Sequence, residues 1–158
     1  MGKQKLVGLV LAALALAGAN ELAYGGETSL AGYATYWDGS SEGLGGGIKV
    51  RQKFLAFLAA DVRASYVDFS DIETSVIPLE ATLMVGIPFF IEPYAGLGVG
   101  YYFVDSDQAI DDGAGVYGVL GLQLNLWVVG AFAEVRYNET EEDLMDGMSG
   151  NLGLMVKW

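Results

Sequence analysis

From about residue 28 onward, apolar and polar positions alternate with a period of two, and turn signals cut the alternation into eight segments. The pattern predicts strands at Ser29 to Trp37, Leu44 to Gln52, Leu55 to Tyr66, Ser75 to Val85, Phe90 to Val104, Gly115 to Asn125, Trp127 to Tyr137 and Ser149 to Trp158. The seventh segment shows it most plainly. Trp127, Val129, Ala131, Ala133, Val135 and Tyr137 form one face, and Val128, Gly130, Phe132, Glu134 and Arg136 the other. Comparable apolar faces are Leu44, Gly46, Ile48 and Val50; Ala60, Val62, Ala64 and Tyr66; Ile77, Leu79, Ala81, Leu83 and Val85; Leu97, Val99, Tyr101 and Phe103; Gly118, Leu120, Leu122 and Leu124. The first segment separates less cleanly, and Ser29, Ala31, Tyr33, Thr35 and Trp37 are placed on its outer face.

A mean hydropathy of +0.37 would ordinarily suggest membrane helices, yet no stretch after Ala19 approaches 18 uninterrupted apolar residues. Abundant Val, Tyr and Phe together with 23 glycines favour strands. Strands that cross lipid have to close into a barrel, because an open edge leaves backbone groups unpaired in hydrocarbon. The fold expected is therefore all-β, an eight-stranded antiparallel up-and-down transmembrane β-barrel. The faces opposite the apolar ones carry Lys49, Arg51, Asp61, Arg63, Glu80, Glu92, Gln123, Asn125, Glu134 and Arg136. A soluble ligand-carrying barrel would need its apolar residues inside, so here the charged side is the interior. An eight-stranded interior is just wide enough for side chains to fill, and four bases (Lys49, Arg51, Arg63, Arg136) face four acids (Asp61, Glu80, Glu92, Glu134) there. They are expected to form an ion-pair network that plugs the lumen, with a proton or solute path as the functional alternative. Pro88 falls in a turn and Pro78 and Pro93 near strand ends.

The connections alternate in character. Those at Gln52 to Phe54, Gly86 to Phe89 and Asn125 to Trp127 are tight, whereas Asp38 to Gly43, Val67 to Thr74, Asp105 to Ala114 and Asn138 to Met148 are long and polar. Short periplasmic turns opposite longer extracellular loops match this asymmetry. Trp37, Tyr66, Trp127, Tyr137 and Trp158 are the expected aromatic girdle residues.

At the N-terminus, Lys3 and Lys5 precede an apolar run from Leu6 to Ala17 and the small residues Ala17-Gly18-Ala19. This is the form of a secretory signal peptide, spanning 1–19, with cleavage before Asn20 and a single barrel domain over 20–158. Removing the two lysines takes the formal charge from −12 to −14. The absence of cysteine excludes disulfides and a lipoprotein thioether.

The four long connections hold fourteen acids and no Lys, Arg or His: Asp38 and Glu42; Asp68, Asp71 and Glu73; Asp105, Asp107, Asp111 and Asp112; Glu139, Glu141, Glu142, Asp143 and Asp146. Such a rim repels nucleic acid and attracts divalent cations or basic partners. The run Asp105 to Asp112 lacks the glycine and terminal Glu of an EF-hand, so a solvated, salt-adapted loop is the favoured reading. With no His and no Cys, most catalytic triads and soft-donor metal sites are excluded. Gly43 to Gly47 is followed by no Lys-Ser/Thr pair and is no phosphate loop; its glycines suit a bent strand packed against lumen side chains. No enzyme activity, cofactor or resident metal is expected.

The chain ends with Asn151, Gly153, and then Val156 and Trp158 on the face that Leu152 and Leu154 continue. This ending is similar to the assembly signal of bacterial outer-membrane barrels, although that family favours Phe last. Strand count, loop asymmetry and C-terminus together resemble the small eight-stranded outer-membrane barrels, the group of OmpX/Ail-like proteins and the OmpA membrane domain. The resemblance implies residence in the outer membrane as a monomer, with outer-membrane lipid and the barrel-assembly machinery as partners. It implies a non-enzymatic surface barrel serving envelope integrity or surface contacts. The alternative within the same group is a small passive channel or transporter for apolar solutes, as in OmpW-like members.

Overall fold

The computed structural model describes residues 26–105, 112–141 and 145–158; the expected signal peptide and its cleavage position lie outside them. Eight strands follow one another: β1 (Thr28–Gly39), β2 (Glu42–Leu55), β3 (Leu58–Phe69), β4 (Thr74–Gly86), β5 (Ile91–Asp105), β6 (Gly113–Leu126), β7 (Val129–Thr140) and β8 (Gly147–Lys157). Each pairs antiparallel with its neighbour, and β8 returns to β1 to close the barrel. At that seam the N–H groups of Thr28 and Trp158 each donate to the other's carbonyl at 3.0 Å. Closure leaves no sheet edge, so every strand can hold an apolar outer face without exposing an unpaired ladder.

Period-two alternation decides which side chains enter. Along β7, Gly130, Phe132, Glu134, Arg136 and Asn138 are buried, while Val129, Ala133, Val135 and Tyr137 are exposed. Aromatic rings occupy much of the interior, and glycines on adjacent strands make room for them. A Cβ at Gly98 would run into the Tyr117 ring, and one at Gly121 would lie 2.6 Å from the Tyr94 hydroxyl. Gly43 and Gly47 of β2 similarly leave space for Phe69 and Tyr33. At the loop end the lumen is closed by an apolar cluster of Trp37, Val67, Phe69, Val76, Tyr102 and Met145.

Several expectations need correction. Ser29, Ala31, Tyr33, Thr35 and Trp37 point inward, and the alternate residues Leu30, Gly32, Ala34 and Tyr36 are exposed. Trp37 is only 2% exposed, packed in the apolar cluster with Arg136 5.7 Å from its ring, and so belongs to no girdle. Pairing with β2 sets this face, because Ala31 and Tyr33 sit in register with the inward Lys49 and with Gly47. The strands also run further toward the loops than expected: β1 and β2 are joined through Ser40 and Ser41 alone, with Asp38 opposite Glu42 inside the ladder. At the other end, the tight turns sit later than expected, at Ala56–Phe57, 87–90 and Trp127–Val128. Trp127 adopts a left-handed φ of 51° at a turn tip rather than starting β7. Pro78 lies within β4 and is buried; β3–β4 pairing skips from Ala64↔Leu79 to Val67↔Val76 around it. Val50 shares the outward register of Leu30 and Val62 yet is only 8% exposed.

The glycine–ring contacts give a direct test. Gly121→Val should push against Tyr94 and lower the urea midpoint, by about 1–3 kcal/mol of stability for an overpacked site. Gly32→Ala, whose Cβ meets nothing within 4 Å, should leave the midpoint unchanged. Equal midpoints for both variants would mean that the rings are not held against the glycines.

Candidate functional site

The charged residues singled out by alternation come from five strands and meet in the lumen: Lys49 and Arg51 on β2, Asp61 and Arg63 on β3, Glu80 on β4, Glu92 on β5, and Glu134 and Arg136 on β7. Two-residue spacing along each strand stacks them in layers along the barrel axis. All eight are buried.

In the central layer, Glu134 accepts hydrogen bonds from Lys49 Nζ at 2.6 Å, Arg63 at 2.8 Å, the Tyr94 hydroxyl at 2.7 Å and the Asn151 amide at 3.3 Å. Asp61 accepts from the guanidinium groups of Arg63 at 2.9 Å and Arg51 at 3.2 Å. Arg51 also donates to Gln123 at 2.7 Å. Three bases thus surround two carboxylates, and aromatic faces take part of the positive charge: Lys49 Nζ lies 3.4 Å from the Phe132 ring centroid and Arg51 4.6 Å from that of Tyr94.

One layer nearer the loops, Arg136 grips both oxygens of Glu80, one of them at 3.0 Å. Of the two acids in reach on polar faces, Glu80 is the partner. Tyr102 donates to the same carboxylate at 3.1 Å, and the Arg136 guanidinium stacks 3.8 Å from the Tyr117 ring centroid. Glu92 pairs instead with Lys53 at 2.8 Å, nearer the turns. Lys157 reaches Asn125 at 3.0 Å and Glu27 at 3.6 Å. Both lysines were missed as lumen bases, since Lys53 read as a turn residue and Lys157 as part of a terminal signature; their odd-numbered register with Arg51 and Met155 was the available clue. A cavity of about 10 Å³ at the turn end, lined in part by Arg51, Lys53, Glu92 and Tyr94, has room for about one water. From loops to turns, a solute would meet an apolar plug, an Arg–Glu pair, a five-charge cluster and a Lys–Glu pair.

At the rim, some acids serve the backbone rather than solvent. Asp112 accepts from Val104 N–H at 2.9 Å, Glu141 from Ala114 N–H at 3.2 Å, and Asp146 from Thr140 N–H at 2.5 Å. Among the described residues, no three carboxylates gather as a metal-holding group. Asp107, Asp111, Glu142 and Asp143 lie outside those residues. Of the remaining girdle candidates, Tyr66 and Tyr137 are exposed toward the loop end and Trp127 and Trp158 at the turn end. The C-terminal set is split by the pleat: Asn151 and Gly153 face inward, Val156 and Trp158 outward.

No protein-family model and no curated protein matches the sequence. Solved structures do share the fold. Neisserial surface protein A superposes with a TM-score of 0.64 at 15% identity, over 84% of this chain and 96% of that one. The N-terminal β-barrel domain of Pseudomonas aeruginosa OprF gives 0.56 at 16% identity, over 84% and 99%. The attachment invasion locus protein Ail of Yersinia pestis, solved with the heparin analogue sucrose octasulfate, gives 0.50 at 17% identity, over 84% and 99%. The architecture here is that of the small eight-stranded outer-membrane barrels.

Removing one member of the Arg136–Glu80 pair leaves a buried charge unmatched. Arg136→Ala and Glu80→Ala should each cost about 3–5 kcal/mol in urea unfolding. The double variant should cost less than the sum of the two, because no charge is then stranded. Additive single effects would show that the two side chains do not depend on each other.

Proposed function

We propose that this chain is a non-enzymatic barrel of the bacterial outer membrane that holds an acidic rim at the cell surface and does not conduct through its lumen. The observation that carries this reading is the inversion of polarity. Its outer wall exposes Leu83, Leu97, Leu120, Leu152 and Leu154, while six bases and the carboxylates of Asp61, Glu80, Glu92 and Glu134 are drawn inside. Large apolar side chains in such number on a water-facing wall would aggregate; against lipid they are the favoured contact. The shared fold with Neisserial surface protein A, OprF and Ail supports the same placement. Short turns then face the periplasm and the acidic connections face outward.

Side-chain chemistry supports a role without catalysis. The chain contains no His or Cys, and the buried carboxylates are each engaged by cations or amides rather than held free for proton transfer. A barrel filled in this way acts through what it displays. At the rim, exposed acids beyond those bonded to backbone N–H groups favour divalent cations or basic partners over nucleic acid.

Reconstitution in planar bilayers tests the closed lumen. The expected result is a silent bilayer at physiological salt; steady conductance would support the passive-channel reading instead. For the rim, millimolar calcium and sodium chloride of equal ionic strength should raise the thermal midpoint alike, as screening over about 8 Å at 0.15 M requires. A rise with calcium alone would establish a specific cation site.

A further inference from the structure

The turn end of the barrel is as apolar as its wall. Phe57, Ile87, Phe89, Phe90, Trp127 and Val128 occupy the three hairpin turns, each more than half exposed and Trp127 at 95%. No charged residue occurs from Phe54 to Leu58, from Gly86 to Ile91, or from Leu126 to Val129. The nearest bases do not serve these tips, since Lys53 and Lys157 turn inward to Glu92 and Asn125. One carbonyl in each turn is also bonded within the barrel. The carbonyls of Phe57, Phe90 and Val128 accept N–H groups of Gly86, Asn125 and Lys157 at 2.8, 2.9 and 2.8 Å.

From these features we infer that the three turns do not project into periplasmic water but sit in the headgroup zone of the inner leaflet, with lipid as their occupant. This rests on the outer-membrane reading above. Register supplies the length argument. On five of the eight strands the outward face runs from Leu44 to Phe54, interrupted by the buried Gln52, from Ile77 to Ile87, Val116 to Leu126, Tyr137 back to Trp127, and Met148 to Trp158, ten residue steps on each of these five. At about 3.3 Å per residue and a tilt of about 40°, ten residues rise about 25 Å, the height of the apolar band of such barrels. The band is complete only if it begins at the turns. The next outward residues toward the loops are Glu42, Ser75 and Glu139. Sliding the barrel until the turns stood clear in water would draw Glu42 and Glu139 into hydrocarbon, where a charge is strongly disfavoured. Tips with exposed aromatic and aliphatic groups suit the interface, where aromatic rings concentrate. The periplasmic end consequently offers water-soluble partners almost no protruding surface.

The chain has no cysteine, so single-cysteine variants report one position each. Nitroxide labels at Phe57→Cys and Val128→Cys, on two different hairpins, are compared with Leu120→Cys in mid-band and Glu141→Cys at the rim. The full barrel is reconstituted in phosphatidylethanolamine–phosphatidylglycerol vesicles, and collision with oxygen and with a water-soluble nickel chelate is measured. Leu120 should favour oxygen and Glu141 nickel, with both turn sites between them. Turn sites as open to nickel as Glu141, while Leu120 still favours oxygen, would overturn the inference and leave the membrane reading intact. Turn sites as deep as Leu120 would also overturn it. A Leu120 label open to nickel would instead refute the membrane placement itself.

Discussion

Within this barrel, one carboxylate ties together most of the wall. Glu134, on β7, accepts hydrogen bonds from Lys49 on β2, Arg63 on β3, Tyr94 on β5 and Asn151 on β8. Ladder hydrogen bonds join only adjacent strands, so they set the circumference but not the cross-section. Contacts across the lumen set the cross-section. Charges in a dry interior interact strongly and are costly when unmatched, and the layers from Glu80 to Glu92 therefore lock the strands into one mutual arrangement. The glycines opposite Tyr94 and Tyr117 belong to the same constraint, since the rings must lie flat against the wall for the Tyr94 hydroxyl to reach Glu134 and for Tyr117 to meet the Thr82 hydroxyl and lie against Arg136.

The two ends of the barrel differ because their surroundings differ. Toward the loops, apolar side chains pack inside and acids gather outside; toward the turns, the ion pairs lie inside and the aromatic residues outside. The first end is filled by apolar side chains and carries acids at its rim, and the second continues the apolar wall. A molecule built this way presents chemistry at one end only. That is the physical basis for reading it as a display scaffold rather than a conduit.

Much of this was legible in the sequence wherever a charge marked the inward face. Arg136 and Glu134 orient β7 without ambiguity, as Arg51 and Lys49 orient β2. In β1 no charge occurs between Thr28 and Trp37, and Ala31 and Thr35 differ too little from Gly32 and Ala34 for alternation to choose, so Trp37 went to the wrong side. Turn positions were misplaced for a related reason: Ala56–Phe57 and Trp127–Val128 carry none of the Gly, Asn or Asp that ordinarily mark a hairpin. The absence of those residues is itself meaningful if the turns meet lipid. Pairing is a property of register around the whole ring, which is why Arg136 could be narrowed to Glu80 or Glu92 along the strands but resolved only by closure.

Fixed ion pairs fill the lumen, and the guanidinium protons of Arg63 and Arg136 report on them most directly. In lipid nanodiscs, nitrogen-15 side-chain spectra at neutral pH should show separate, slowly exchanging resonances for these two arginines, since each is held by carboxylates away from bulk water. Guanidinium signals averaged by rapid rotation and exchanging quickly with solvent would contradict the account.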